Sequence, residues 1–202
     1  MKRYGIIGGT FDPIHYAHLY IAYEAKLQLN LDEVIFMPAG IQPFKVGNNV
    51  TDSWLRYNMV KEAIEPYEEF SVSTYEIEKE GVSFTYETLE HLKNRLGEES
   101  ELFFITGADC LISIDKWREV SKILSLCTFV VFSRGGFDNE ILKKRKEEVV
   151  EKYKCNIILL ELKQLEISST DIRERVKKGR RIDFFVPEKV NRLIIKNNLY
   201  KK

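Results

Sequence analysis

The stretch Tyr4-Gly5-Ile6-Ile7-Gly8-Gly9-Thr10-Phe11-Asp12-Pro13-Ile14-His15-Tyr16-Ala17-His18 sets the architecture of this 202-residue chain. An apolar, β-rich run at 4–8 passes into a glycine turn, and helical spacing begins at His18 and continues to 29. The same unit recurs along the chain. Further apolar runs lie at 33–38, 70–77, 102–107, 128–133 and 156–160, each bounded by turn or cap residues. Helical spacing separates them at 53–64, 85–96, 116–124 and 137–153, and continues after the last run at 170–177 and 188–197. Several of the runs are apolar on both faces. A parallel sheet covered on both sides requires that pattern, because each parallel connection needs a crossover, normally a right-handed helix. The predicted fold is α/β, a doubly wound parallel sheet in one domain over 1–202. Its last roughly 35 residues form a small helical C-terminal extension.

The composition suits that fold. Hydrophobic residues make up 44% of the chain and aromatics 12%, enough to build a core without a partner. Lys plus Arg (31) equals Asp plus Glu (31), so no basic excess points to nucleic acid or an anionic membrane. An anionic ligand must therefore be held locally. The apolar run after Met1-Lys2-Arg3 is too short and glycine-rich for a signal peptide, and no apolar run of about 18 residues occurs. The expected location is the cytoplasm. Cys110, Cys127 and Cys155 are odd in number and set among apolar neighbours, which fits reduced core thiols better than disulfides or a zinc site. Residues 39–50 form a polar loop long enough to act as a mobile lid. No heptad or isolated apolar stripe marks an interface, which leaves monomer or homo-oligomer open.

In doubly wound sheets ligands bind beyond the carboxyl ends of the strands. Gly8-Gly9-Thr10 lies there, where missing side chains let backbone N–H groups approach a phosphate, or where a glycine pair simply makes a tight turn. A Walker loop and a dinucleotide fingerprint are both absent. His15 and His18, two of the three histidines, are spaced i, i+3 at a helix start and share one face. Helix dipole and imidazoles together could bind polyphosphate. The alternatives are structural histidines or a metal pair, though no acidic or cysteine partner stands at zincin spacing. Gly107-Ala108-Asp109 follows the fourth strand, so Asp109 could meet a ribose hydroxyl or a magnesium water, or only cap a helix. Ser168-Ser169-Thr170-Asp171-Ile172-Arg173 opens a later helix with capping-box spacing. A bare cap explains the serine. An arginine in a helix's first turn opposes the macrodipole by ~0.3–1 kcal/mol unless a polyphosphate is bound there.

Taken together, Gly9-Thr10-Phe11-Asp12-Pro13, His15-Tyr16-Ala17-His18 and Ser168-Ser169-Thr170-Asp171-Ile172-Arg173 resemble the paired signatures of the nucleotidyltransferase superfamily. Ala17 stands where glycine is usual. Met37-Pro38-Ala39, Pro43-Phe44-Lys45, Trp54-Leu55-Arg56, Gly81-Val82-Ser83-Phe84-Thr85, Phe104-Ile105-Thr106-Gly107-Ala108-Asp109, Trp117, Arg134-Gly135 and Val186-Pro187 narrow the resemblance to bacterial nicotinate-nucleotide adenylyltransferases. Phe44 and Glu87 depart from that pattern, replacing the usual His and Asp.

The resemblance implies a Rossmann-like fold and transfer of AMP from ATP to nicotinate mononucleotide, with Mg2+ carried by the ATP. It implies catalytic roles for His15, His18 and Arg173. ATP contacts would come from Gly8, Gly9, Thr10, Phe11, Gly107 and Asp109 at the strand ends, and from Ser168 and Thr170 at the second motif. Thr85 and Trp117 would form the nicotinate pocket, and Lys45 and Arg134 would meet phosphate. Without the resemblance, Trp117 reads equally as an apolar anchor and Thr85 as an N-cap. The rival readings are a transferase with phosphopantetheine or nicotinamide mononucleotide as acceptor, and a nucleotide-binding regulator without turnover.

Overall fold

The computed structural model describes residues 1–40, 50–79, 81–133, 139–163 and 165–201. Among them, β1 (Arg3–Gly9), β2 (Glu33–Pro38), β3 (Phe70–Val72), β4 (Glu101–Gly107), β5 (Thr128–Phe132) and β6 (Ile157–Leu160) form one sheet. Its order is β3-β2-β1-β4-β5-β6, and every neighbouring pair is parallel. The doubly wound α/β architecture is therefore as the sequence predicts.

Side-chain alternation explains why both faces must be covered. Ile6, Ile35, Met37, Leu102, Phe104, Phe129 and Val131 enter one buried cluster, while Ile7, Val34, Phe36, Phe103, Ile105 and Val130 enter the other. Burying each Ile, Val or Phe contributes roughly 1.5–3 kcal/mol, so neither face can be left to water. The helices α1 (Tyr16–Leu29) and α2 (Ser53–Ile64) cover the second set, together with α8 (Ser169–Lys177) and α9 (Glu188–Lys196). The other face is covered by α4 (Thr85–Leu96), α5 (Ala108–Ser113), α6 (Val120–Leu126) and α7 (Asn139–Tyr153). Buried Ile172, Ile182, Val186, Val190 and Ile194 put the C-terminal helices into the same cluster as the first two.

The chain winds outward from β1 to β3, then returns to lay β4 against β1 and winds the other way. The carboxyl ends of β1 and β4 thus flank the point where strand order reverses, and in a doubly wound sheet that is where the ligand crevice lies. Gly8 and Gly9 end one strand and Gly107 ends the other.

Two elements differ from the sequence reading. The run 70–77 is a strand only to Val72: Ser73 N–H donates to Phe36 O, Ser73 Oγ then accepts from Tyr75 N at 3.2 Å, and the helical turn α3 (Tyr75–Glu78) follows. The alternation Tyr75-Glu76-Ile77-Glu78 mimics a strand, but a serine-initiated turn stops the ladder at the sheet edge. The helix expected over 116–124 is divided. A 3₁₀ turn covers Ile114–Lys116, Trp117 is extended, Glu119 takes φ 57, and α6 starts at Val120. The six-residue α5 is too short to reveal its period. Cys127 is buried and its thiol is pushed up to about 12 by that burial; Cys110 and Cys155 are half-buried, and none of the three is in a disulfide. None of the described helices is long and apolar enough to cross a membrane. Lys45, Arg134 and most of the 39–50 loop lie outside the described residues.

Candidate active site

The glycine turn is built by close packing rather than by local hydrogen bonds alone. Phe11 follows it in the left-handed region at φ 50, which drives its ring into the core at 2% exposure. There it meets Phe36 at 5.8 Å and the edge of His18 at 5.1 Å. A methyl at Gly9 would stand 3.0 Å from that ring, so an alanine there would displace the prop beneath His18. The Phe11 ring is thus enclosed in the core.

His15 caps α1 and His18 is its third residue. The two imidazoles stack with centroids 3.7 Å apart and planes 21° apart. His18 Nδ1 accepts the backbone N–H of His15 at 3.3 Å, so Nδ1 is the unprotonated nitrogen and Nε2 carries the proton. That tautomer leaves one N–H donor on His18. His15 is fully buried and His18 is 9% exposed, so water competes weakly for any anion they meet.

The second motif docks onto the first. Ser168 caps α8 by accepting Asp171 N–H at 3.1 Å, as its spacing predicted. Arg173, which falls at the fifth helical position, donates to Asp12 O at 2.8 Å and to Thr170 Oγ1 at 3.2 Å. Ser169 Oγ donates to Pro13 O at 2.9 Å. Residues 161 and 156 positions apart in sequence therefore share one wall of the crevice. Ser168 and Thr170 are exposed beside it.

On the opposite side of the sheet, Trp117 is half-buried with its ring edge-on to Phe104 at 6.1 Å and to Phe129 at 6.2 Å. Phe104 in turn lies 3.8 Å beneath the position a Gly8 methyl would take. The aromatic wall and the glycine turn are thereby one packed unit. Asp115 fixes the turn before Trp117: it accepts from Lys152 at 2.8 Å, Tyr153 at 2.7 Å and Arg145, and these bonds hold its carboxyl well below the usual carboxylate range. Thr85 is the first residue of α4, whose cap is Phe84; Glu87 accepts Phe84 N–H at 3.2 Å and pairs with Lys79. The longer Glu87 side chain is thus used in capping. Arg118 lies 4.8 Å over the Phe84 ring and bridges the Thr85 and Trp117 segments. Asp109 is exposed in the first turn of α5, and its Oδ1 approaches so closely that a Gly107 methyl would sit 2.5 Å away.

Two features had no role assigned from sequence. Arg56, 2% exposed, donates from Nε to Thr51 O at 2.8 Å, and from its terminal nitrogens to Thr10 O and Ala39 O, both at 2.7 Å. Burial lowers its pKa from the ordinary value, opposed by Asp12 and Asp52. Its signal was legible: it occupies the apolar stripe of α2 with Met59, Val60 and Ala63, where a charge needs a reason. The other is a cleft between α1 and the ends of β5 and β6, lined by Ala17, Ile21, Phe132, Ser133, Leu162 and Leu165. The extra methyl of Ala17 lines that cleft.

The crevice offers one imidazole N–H, a glycine-lined turn, an arginine, and hydroxyls at a helix start, a donor set for phosphate. Known proteins carry the same frame. The cytidylyltransferase-like family matches residues 6–175. A probable nicotinate-nucleotide adenylyltransferase of Clostridium beijerinckii is 66% identical over the whole of both chains, and its counterpart in Clostridium perfringens strain 13 is 54% identical, also end to end. A Plasmodium falciparum nicotinic acid mononucleotide adenylyltransferase complexed with NaAD superposes with a TM-score of 0.80 at 23% identity, covering 99% of this chain and 98% of that one. The chain belongs to the cytidylyltransferase-like family and, within it, to the nicotinate-nucleotide adenylyltransferases.

Proposed function

We propose that this chain transfers the adenylyl group of ATP to nicotinate mononucleotide, giving nicotinate adenine dinucleotide and pyrophosphate in NAD biosynthesis, in the cytoplasm. The supporting observation is the contact between the two end motifs, Arg173 on the carbonyl of Asp12, which gathers phosphate-binding groups around one crevice.

In this reading a phosphate oxygen of the mononucleotide attacks the α-phosphorus of ATP in line. The bond from that phosphorus to the β-bridging oxygen breaks, and pyrophosphate leaves with the electron pair. The attacking phosphate is already ionised, so no general base is required. His18 donates Nε2–H to the phosphates, His15 supports its ring, and Arg173 adds charge; positioning and charge stabilisation lower the barrier. The backbone of Gly8, Gly9, Thr10 and Phe11 borders the triphosphate, with Ser168 and Thr170 across from it. The cleft at Ala17 and Phe132 takes the adenine, and Gly107 and Asp109 approach the ribose. Thr85 and Trp117 border the pyridine ring, with Trp117 offering an aromatic face, and Lys45 and Arg134 meet the acceptor phosphate.

Magnesium fits as an ion carried by the triphosphate. No three His, Cys, Asp or Glu side chains of the described residues converge to hold a metal, and Asp12 is engaged by Tyr200 and Thr51. Asp109 remains for one of its waters. Bound there, the ion would neutralise charge on the phosphates.

Pyrophosphate release from ATP, measured with nicotinate mononucleotide, nicotinamide mononucleotide and phosphopantetheine in turn, tests the proposal. The nicotinate form is expected to turn over fastest. Faster release with either other acceptor would reassign the substrate, and release with none would leave a nucleotide-binding regulator.

A further inference from the structure

Asp12 stands three residues before His15 and is 5% exposed, and each of its oxygens is held from elsewhere in the chain. Its carbonyl accepts from Arg173 at 2.8 Å, and Oδ2 accepts Thr51 N–H at 3.2 Å. Oδ1 accepts the hydroxyl of Tyr200 at 2.5 Å, across 188 positions. Tyr200 lies beyond the family-matched span of 6–175. Two left-handed residues aim it inward: Asn198 (φ 50) follows the C-cap of α9, Asn197, while Leu199 N–H returns to Ile194 O at 3.0 Å, and Tyr200 itself takes φ 62. Left-handed backbone at two non-glycine residues is unusual and marks a placement that the surroundings enforce.

We infer that the Tyr200 phenol is a positioning residue: through Asp12 it holds the turn that carries His15 and His18 in the alignment that adenylyl transfer needs. This rests on the adenylyltransferase reading above. A hydrogen bond to a carboxylate is about twice as strong as a neutral one, and this one spans 2.5 Å. Burial, and then the neighbouring Asp12 carboxylate, raise the phenol far above its ordinary pKa, so it remains a donor throughout the working range. Arg56, Ser169 and Arg173 also tether the turn, so losing the hydroxyl loosens it without releasing it.

Tyr200→Phe keeps the ring and removes only the donor. The variant is expected to fold with the wild-type circular dichroism spectrum, and kcat for pyrophosphate release falls about 10- to 100-fold, with KM for nicotinate mononucleotide unchanged. The chain has three histidines, so imidazole NMR resonances report the cause directly. Those of His15 and His18 move, and that of His91, stacked on Tyr75 in α3, stays. In an Asp12→Asn background, Tyr200→Phe adds little further loss, because the pair acts as a unit. Wild-type resonances for His15 and His18 in Tyr200→Phe, or independent multiplying losses in the double variant, overturn the inference. If Tyr200→Phe does not fold, Asp12→Asn must show the same kcat loss and the same resonance pattern, and failure to do so also overturns it. If the wild type releases no pyrophosphate, the adenylyltransferase reading fails, while the resonances still decide whether Tyr200 positions the histidines.

Discussion

His18 has one nitrogen committed to the backbone of His15 and the other protonated, so its orientation is set before any ligand arrives. A donor fixed in this way loses little on binding a developing charge. His18→Ala is therefore expected to lower kcat by about 10²–10³ with the circular dichroism spectrum unchanged; near-normal turnover would remove its role. Glu76 behaves differently. Burial pushes its carboxyl from 4.5 up to about 7, and Thr88 Oγ1 donates to it at 2.7 Å. The folded chain then binds this proton more tightly than the unfolded chain does. Stability from this group is full below about pH 4.5 and is lost as pH rises toward 7. Glu76→Gln removes the loss, so its stability relative to wild type should be more favourable at pH 8 than at pH 5 by roughly 1–3 kcal/mol. Denaturant midpoints at the two pH values measure this, and a pH-independent difference would show that the proton is not retained.

At the scale of elements, α2 acts as a clamp. Asp52 caps it by accepting Trp54 N–H at 3.0 Å and Leu55 N–H at 3.1 Å, and Arg56 one turn on ties three separate backbone segments together. Arg56→Met would leave three carbonyls without their donor. A loss of about 2–5 kcal/mol is expected, read as a fall in Tm, together with a lower kcat because Thr10 is one of the three. Arg56→Lys recovers only part of it, since an ammonium cannot reproduce the planar fork. A Tm within error of wild type for Arg56→Met would show that water replaces the guanidinium. Elements with helical spacing over three turns, such as 53–64 and 85–96, were legible residue for residue. Those decided by a single turn, α3 and α5, were not, because four to six residues carry no period.

Over the whole molecule, the C-terminal helices complete the core that the first strand begins. Ile172, Val190 and Ile194 share a cluster with Ile7 and Phe11, and Tyr16 N–H donates to Phe185 O at 3.0 Å. We propose that residues 1–202 unfold as one cooperative unit. Far-UV circular dichroism and Trp117 fluorescence, read in a Trp54→Phe variant, should then give coincident thermal transitions; separate midpoints would divide the C-terminal part from the sheet. The sequence by itself determined the strand and helix alternation, the parallel sheet, and the two motifs at opposite ends, because periodicity and glycine placement are local properties of the chain. Only the tertiary structure decided that Arg173 reaches Asp12, that Phe11 turns inward to support His18, and that Arg56 and Tyr200 hold the turn between them. Phe11 and His18 are seven positions apart, while Arg56 reaches Ala39 across 17 and Tyr200 reaches Asp12 across 188; packing around the parallel pair β1 and β4 at the centre of the sheet brings them together, and no spacing along the chain encodes them.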